Sequence, residues 1–570
     1  MPAALALKRL IVSDLEELRN RYGGMGAAEE ARLITKFCLW VGFALVFLVL
    51  ARGKTFSMAY AADLMVFYDG GERVLSGQLP NRDFHTPLGL LAYLLPALGL
   101  WVGESLGRMM PIATAAFAAI FLPLLIHICV SRLPLKQGLF FAFWALALVV
   151  TPASIGELEP SFAMFYNRWG YGLLSLLFLL FLPRLRGGNS DWKDALTLAL
   201  VLLLTFYLKI SYFAVAAVIT LPLLYFVETR RIALIGGLLA IGCINLIHLA
   251  WGGTFGYLQD ISVAAQSSGA IRGSIGVLVQ LALNDAATLF PFLLILGLCA
   301  AGGISFRILL LCLAIAGAGL LLSNQNYQGL GIPTLVPAAI LAVTSLEAKL
   351  KRSDGGSLRL AATLLLATLV VPPAFSATRS ALVHMAQPDG SSSKAARVAE
   401  INGLQAKDVL SDGVDAEGID KARQFYRVGT GDLNVVQILR KRLWQTEYLS
   451  TLKDAEALLQ SDPALSGKIF VLDFANPLNA LLGRRAPQGV DSWYHRGRTF
   501  EEGIFRSPEQ TFADVDVIMV PKAPVDPTAY FLLKQIYGDY IAQHYRVAAA
   551  SDYWLAYAPR TEAEAAPSSR

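Results

Sequence analysis

Residues 86–103 read TPLGLLAYLLPALGLWVG, and the fold turns on whether this stretch crosses a membrane. A crossing helix needs roughly 20 mostly apolar residues. This run is shorter, and Pro96 would interrupt a helix built from it. The basic residues around it supply a second constraint, because Lys and Arg collect in cytoplasmic loops. They cluster at Lys8 to Lys36, at Arg132 with Lys136, at Arg184, Arg186 and Lys193, and at Arg230 with Arg231. Arg307 follows alone, then Lys349, Lys351, Arg352 and Arg359. If 86–103 crossed, the loop with Arg132 and Lys136 would land outside. Reading it as a helix lying in the outer interface restores every cluster to the inside.

The rest of the chain supports a membrane frame. It has 570 residues, of which 55% are hydrophobic and 16% charged, whereas soluble domains carry about 25% charged residues. The charge pattern predicts about eleven transmembrane helices, near 37–52, 109–130, 138–153, 169–184, 194–209, 212–228, 232–252, 287–304, 308–323, 331–347 and 359–377. Residues 1–36 are then a cytoplasmic N-terminal segment. Residues 37–377 form a transmembrane domain whose first outer loop is 53–108. Residues 378–570 lie on the far side. There charges become frequent, and KIFVLDF, DVDVIMVP and YWLAYAP read as strands beside the helical patterns TLKDAEALLQS and PTAYFLLKQIYGDYIAQHY. This predicts a periplasmic α/β domain.

The net charge of +5 follows from topology and does not argue for nucleic acid. All five cysteines lie in apolar runs, which excludes a disulfide framework and a CxxC metal site.

Four outer segments collect the unusual polar residues. The first contains Asp63, Asp69, Glu72, Arg73, Arg82, Asp83 and His85, and the second Glu157, Glu159, Tyr166, Asn167 and Arg168. The third is YLKISYF, where Lys209 marks a tight reversal between two spans. The fourth contains Asn326 and Tyr327. Most such residues are explained by water or lipid headgroups. Lys209 and Arg168 are not, because they sit at membrane depth on the side that the charge rule empties, where an ionisable group is costly. His85 has no second His nearby, so it reads as a hydrogen-bonding group, a divalent cation being the lesser alternative.

The first outer loop, with Asp63 followed by S-G-Q-L-P-N-R-D-F-H-T-P-L-G, resembles that of the glycosyltransferase-C superfamily. It is most similar to bacterial relatives of protein O-mannosyltransferases and of the lipid A aminoarabinose transferase. Gly77 and Pro80 match the turn, Arg82-Asp83-Phe84 the RDF, and Pro87-Leu88-Gly89 the start of the second juxtamembrane helix. Asn81 replaces the usual Tyr, and the family's Asp-Glu pair is reduced to Asp63-Leu64. Asp69 is therefore an alternative to Asp63.

The resemblance covers about residues 37–377 and implies a polyprenyl-phosphate sugar donor and inversion at the anomeric carbon. It makes Asp63 the base, and Glu157 or Glu159 a second acidic residue toward the acceptor. The phosphate leaving group calls for cations: Lys209, Arg168 and Arg82. Asp83, His85, Tyr166, Asn167, Asn326 and Tyr327 would line the cavity. The acceptor would be a lipopolysaccharide, polysaccharide, glycolipid or protein at the periplasmic face of a bacterial inner membrane, with no cofactor and no nucleic acid. A transporter or flippase and a surface-polysaccharide ligase or polymerase are the competing readings. The C-terminal domain, which lacks a GxGxxG motif, is expected to do no chemistry and to help choose the acceptor through SWYHRGR (492–498).

Overall fold

The computed structural model describes residues 26–56, 60–154, 160–186, 191–268, 275–325, 331–350, 356–386, 409–410, 448 and 451–561, apart from Phe226 and Ala523. The first half contains α1 (Gly26–Leu50), β1 (Thr55–Phe56), α2 (Ala61–Leu75), α3 (Leu91–Gly103), α4 (Leu106–Arg132) and α5 (Leu135–Val150). A hairpin of β2 (Ala153–Ser154) and β3 (Pro160–Ser161) leads into α6 (Phe165–Leu179), α7 (Asp191–Leu208), α8 (Ile210–Tyr225) and α9 (Val227–Trp251). Then come α10 (Thr254–Ser268), α11 (Ile275–Asn284), α12 (Ala286–Ala301), α13 (Phe306–Gln325), α14 (Leu335–Lys349) and α15 (Gly356–Ala386).

Each of the eleven apolar runs coincides with a helix. Among the described residues, five helices are long and apolar enough to cross a membrane, namely α1, α4, α9, α13 and α15. The pair α11–α12, bent by 87°, makes a sixth if it is one broken span. This is consistent with a helical membrane protein. The stretch 253–286, left between the predicted spans 232–252 and 287–304, forms α10 and α11; the ten-residue apolar run of α11 was too short to stand out. Helix α3 has 13 residues, about 20 Å of helix against a hydrocarbon core of about 30 Å.

Segments that the charge pattern assigned to one side meet one another. At the end of the helices where the charge pattern places the cytoplasm, buried Asp194 accepts from Arg132 at 2.7 and 3.0 Å, from Arg184 at 2.6 Å, and pairs with His127 at 2.8 Å. Arg186 pairs with Glu30 there.

After β4 (Val409–Leu410), which pairs in parallel with β1, the described chain resumes with α16 at 451–461. It continues through β5 (Ile469–Val471), α17 (Leu478–Leu481), α18 (Pro508–Phe512), β6 (Val517–Pro521), α19 (Pro527–His544), β7 (Tyr545–Ala550) and β8 (Trp554–Pro559). The sheet order is β5-β6-β8-β7, parallel only between β5 and β6. Alternate residues face opposite ways along a strand. Phe470 and Ile518 accordingly join one core with Phe512 and Tyr537, while Ile469, Val471 and Met519 join the larger core of the helical part. All three expected strands form; β7 was missed because its Ala-rich sequence follows α19 without a turn signal.

Candidate functional site

Tyr60, in a left-handed conformation at φ 58°, starts α2, and Asp63 occupies the first turn. A helix N-terminus favours a carboxylate, yet burial dominates and pushes the Asp63 carboxyl up to about 7, with the Arg498 cation pulling the other way. The other end of α2 closes when Gln78 N–H donates to the Arg73 carbonyl at 2.8 Å. Gly77, at φ 87°, makes that closure possible. Asn81 is also left-handed, at φ 61°, a conformation Asn tolerates far better than Tyr. Its amide donates to the Thr86 carbonyl at 2.6 Å and to Asp260 at 2.9 Å. The replacement of the usual Tyr thus has a local backbone reason.

The remaining charges of this loop fasten the molecule together. Buried Asp69 accepts from Arg73 Nε at 2.7 Å. Arg73 also donates to the Pro487 carbonyl at 2.7 Å and lies 5.2 Å from the Phe84 ring centre. Asp69 is therefore engaged in holding the C-terminal unit. Arg82 is exposed and pairs with Asp83 at 2.8 Å, while Asp83 accepts from Leu79 N–H at 2.7 Å. His85 Nδ1 lies 3.0 Å from Asp260 Oδ1, which also accepts from Arg506 at 2.8 Å. The backbone of the same stretch pairs with the C-terminal unit. His85 N–H donates to the Val490 carbonyl, Ser492 N–H to the His85 carbonyl and Gly489 N–H to the Asp83 carbonyl, at 2.8–2.9 Å. The RDFH motif is a docking strip, and neither Arg82, Asp83 nor His85 lines the cleft beside Lys209.

Lys209 stands between α7 and α8. The backbone of Gly89 touches the preceding residues so closely that a Cβ there would lie 2.2 Å from the Tyr207 carbonyl oxygen, so only glycine fits. Lys209 Nζ donates to Asn167 Oδ1 at 3.2 Å and lies 5.5 and 5.8 Å from the ring centres of Tyr166 and Tyr212. Tyr212 donates to the same Asn167 oxygen at 3.2 Å. The ammonium faces a cleft of about 200 Å³ whose polar wall comprises Lys209, Tyr166, Gln325, Trp493 and Arg498. Leu88, Ile261 and Ala265 form an apolar flank.

Arg168 does not join this cleft. It is buried beside Trp144, Thr151 and Pro333 in a separate cavity of about 20 Å³, room for about one water. Its Nε and Nη1 have no hydrogen-bond partner among the described residues. Glu157, Glu159, Asn326 and Tyr327 lie outside the described residues. Among the described residues, no group of three or more His, Cys, Asp or Glu gathers as a metal site. Arg498 and Trp493 were not singled out as site residues in the sequence, although SWYHRGR marked their segment; Gln325 and Tyr212 lie in the fourth and third outer segments but were not chosen as site residues. No family model, curated protein or solved structure matches the chain.

Proposed function

We propose that the chain is an inverting membrane glycosyltransferase with about eleven spans, which moves a sugar from a polyprenyl phosphate to an acceptor hydroxyl at the periplasmic face of a bacterial inner membrane. One observation carries this reading: two cations, Lys209 and Arg498, share a cleft with an apolar flank, and Arg498 is electrostatically coupled to Asp63. In the reaction, the acceptor O–H proton passes to the Asp63 carboxylate while the acceptor oxygen bonds to the anomeric carbon. The bond from that carbon to the phosphate oxygen breaks, and its electron pair leaves with the phosphate. Preorganised cations stabilise that developing charge, and a carboxyl titrating near neutral pH suits a general base. Leu88, Ile261 and Ala265 suit the start of a prenyl chain. No step requires a metal.

The acceptor is a glycan, glycolipid or protein hydroxyl. The test uses purified protein, hexosyl and pentosyl esters of polyprenyl phosphate, and an envelope extract as acceptor, with release of polyprenyl phosphate as the readout. Asp63→Asn should lower turnover by about 10²–10⁴ and leave donor binding in place. Full sugar transfer by the folded variant would sink the assignment of the base.

A further inference from the structure

We infer that Trp493, brought by the C-terminal unit, forms the subsite for the donor's sugar ring by offering its indole N–H to a ring hydroxyl. This rests on the reading of the cleft as a polyprenyl-phosphate sugar site. Trp493 is 8% exposed and lines the cleft with Lys209 and Arg498. Its Nε1 has no hydrogen-bond partner among the described residues, whereas buried tryptophan N–H groups ordinarily find one. The indole is also held in place. Trp493 bridges to Ala475, its ring meets those of Phe474 and His495 at 5.9 and 6.2 Å, and neighbouring Ser492 bonds Tyr93 at 3.0 Å.

A rigid aromatic donor beside two cations matches a ligand that is anionic at one point and hydroxylated next to it. A sugar phosphate has that pattern. A bare phosphate satisfies only the cations and leaves the indole N–H unpaired, so the subsite selects for the sugar-bearing form. The C-terminal unit thereby becomes part of the donor site and more than a surface for the acceptor.

The test measures binding of long-chain polyprenyl phosphate and of its hexosyl and pentosyl esters to the full-length protein, before and after Trp493→Phe. The wild type should bind at least one sugar ester more tightly than the bare phosphate. Trp493→Phe, which keeps an aromatic ring and removes the N–H, should lower that preference by roughly fivefold to tenfold and leave the bare phosphate unchanged. Lys209→Ala should weaken both ligands. Wild-type protein that binds the phosphate and its esters alike overturns the sugar subsite without any variant and leaves the phosphate site standing. A folded Trp493→Phe that keeps the full preference, or that changes only the KM for acceptor, also overturns it. Wild-type protein that binds none of the ligands overturns the transferase reading itself.

Discussion

Asp63 and Asp69 share one helix, where six residues rotate them about 240° apart, and their surroundings divide the work between them. Asp69 neutralises buried Arg73. Asp63 is half-buried with its carboxyl raised to about 7 by desolvation. The sign of the resulting pH effect follows from proton binding. Between the ordinary carboxylate range near 4 and the folded value near 7, the folded state holds a proton that the unfolded state has lost. Stability therefore falls as pH rises through that window. Asp63→Asn should melt at a higher temperature than wild type at pH 8, and the difference should vanish near pH 4, while wild-type turnover rises with pH through about 7. A variant that melts lower at pH 8 would argue against a desolvated carboxylate. Asp69→Ala should behave in the opposite way. It leaves the Arg73 guanidinium buried without its counter-charge, which costs about 3–5 kcal/mol, so denaturant unfolding should shift while the pH profile of any surviving activity stays unchanged.

At the scale of elements, α3 and α10 decide how the site is built. Helix α3 is too short to cross, so α4 should begin at the outer face. A cysteine at exposed Glu104 should react with an impermeant maleimide on intact cells, and one at exposed Lys136 only after permeabilisation. The reverse labelling would mean that the stretch before α4 crosses and that the sidedness is inverted. Helix α10 contributes Asp260, which accepts from Asn81, the Thr86 amide and Arg506, and pairs with His85. One carboxylate thus ties together the 53–108 segment, α10 and the C-terminal unit. Asp260→Ala leaves the Arg506 guanidinium with Asp491 alone and frees the Thr86 amide and His85. It should open the 485–506 segment to limited proteolysis and weaken donor binding together, whereas intact resistance would show that the backbone pairing at 489–492 is sufficient.

Across the whole molecule, the four-stranded sheet is pressed between its own core and the helical part, so the C-terminal unit is continuous with the membrane-domain packing. Its approach is fixed by Arg73 to the Pro487 carbonyl, by Gln78 to the Ala486 carbonyl at 2.8 Å, and by the backbone bonds of 83–85. These contacts carry Trp493 and Arg498 to Lys209. Arg73→Ala should therefore cost donor affinity and acceptor use in parallel. A loss confined to acceptor use would restore the division of labour that composition alone suggests, in which the unit serves only the acceptor.

The amino-acid sequence by itself determined the helical membrane class, the helices at the eleven longest apolar runs, three of the four strands in the C-terminal sheet and the isolation of Lys209 from any acid nearby in the chain. Those properties are local: run length, two-residue alternation, and the cost of a cation with no acid between Asp194 and Glu228. It also drew attention to the RDFH stretch, because many charges beside a span are conspicuous. Only the tertiary structure decided what those charges do. Arg82 turns to Asp83 and His85 to Asp260, Arg168 enters a different cavity from Lys209, and Arg498 arrives from far along the chain. Electrostatic partners are chosen by distances of a few ångströms, and residues hundreds of positions apart reach such distances only after the helices have packed.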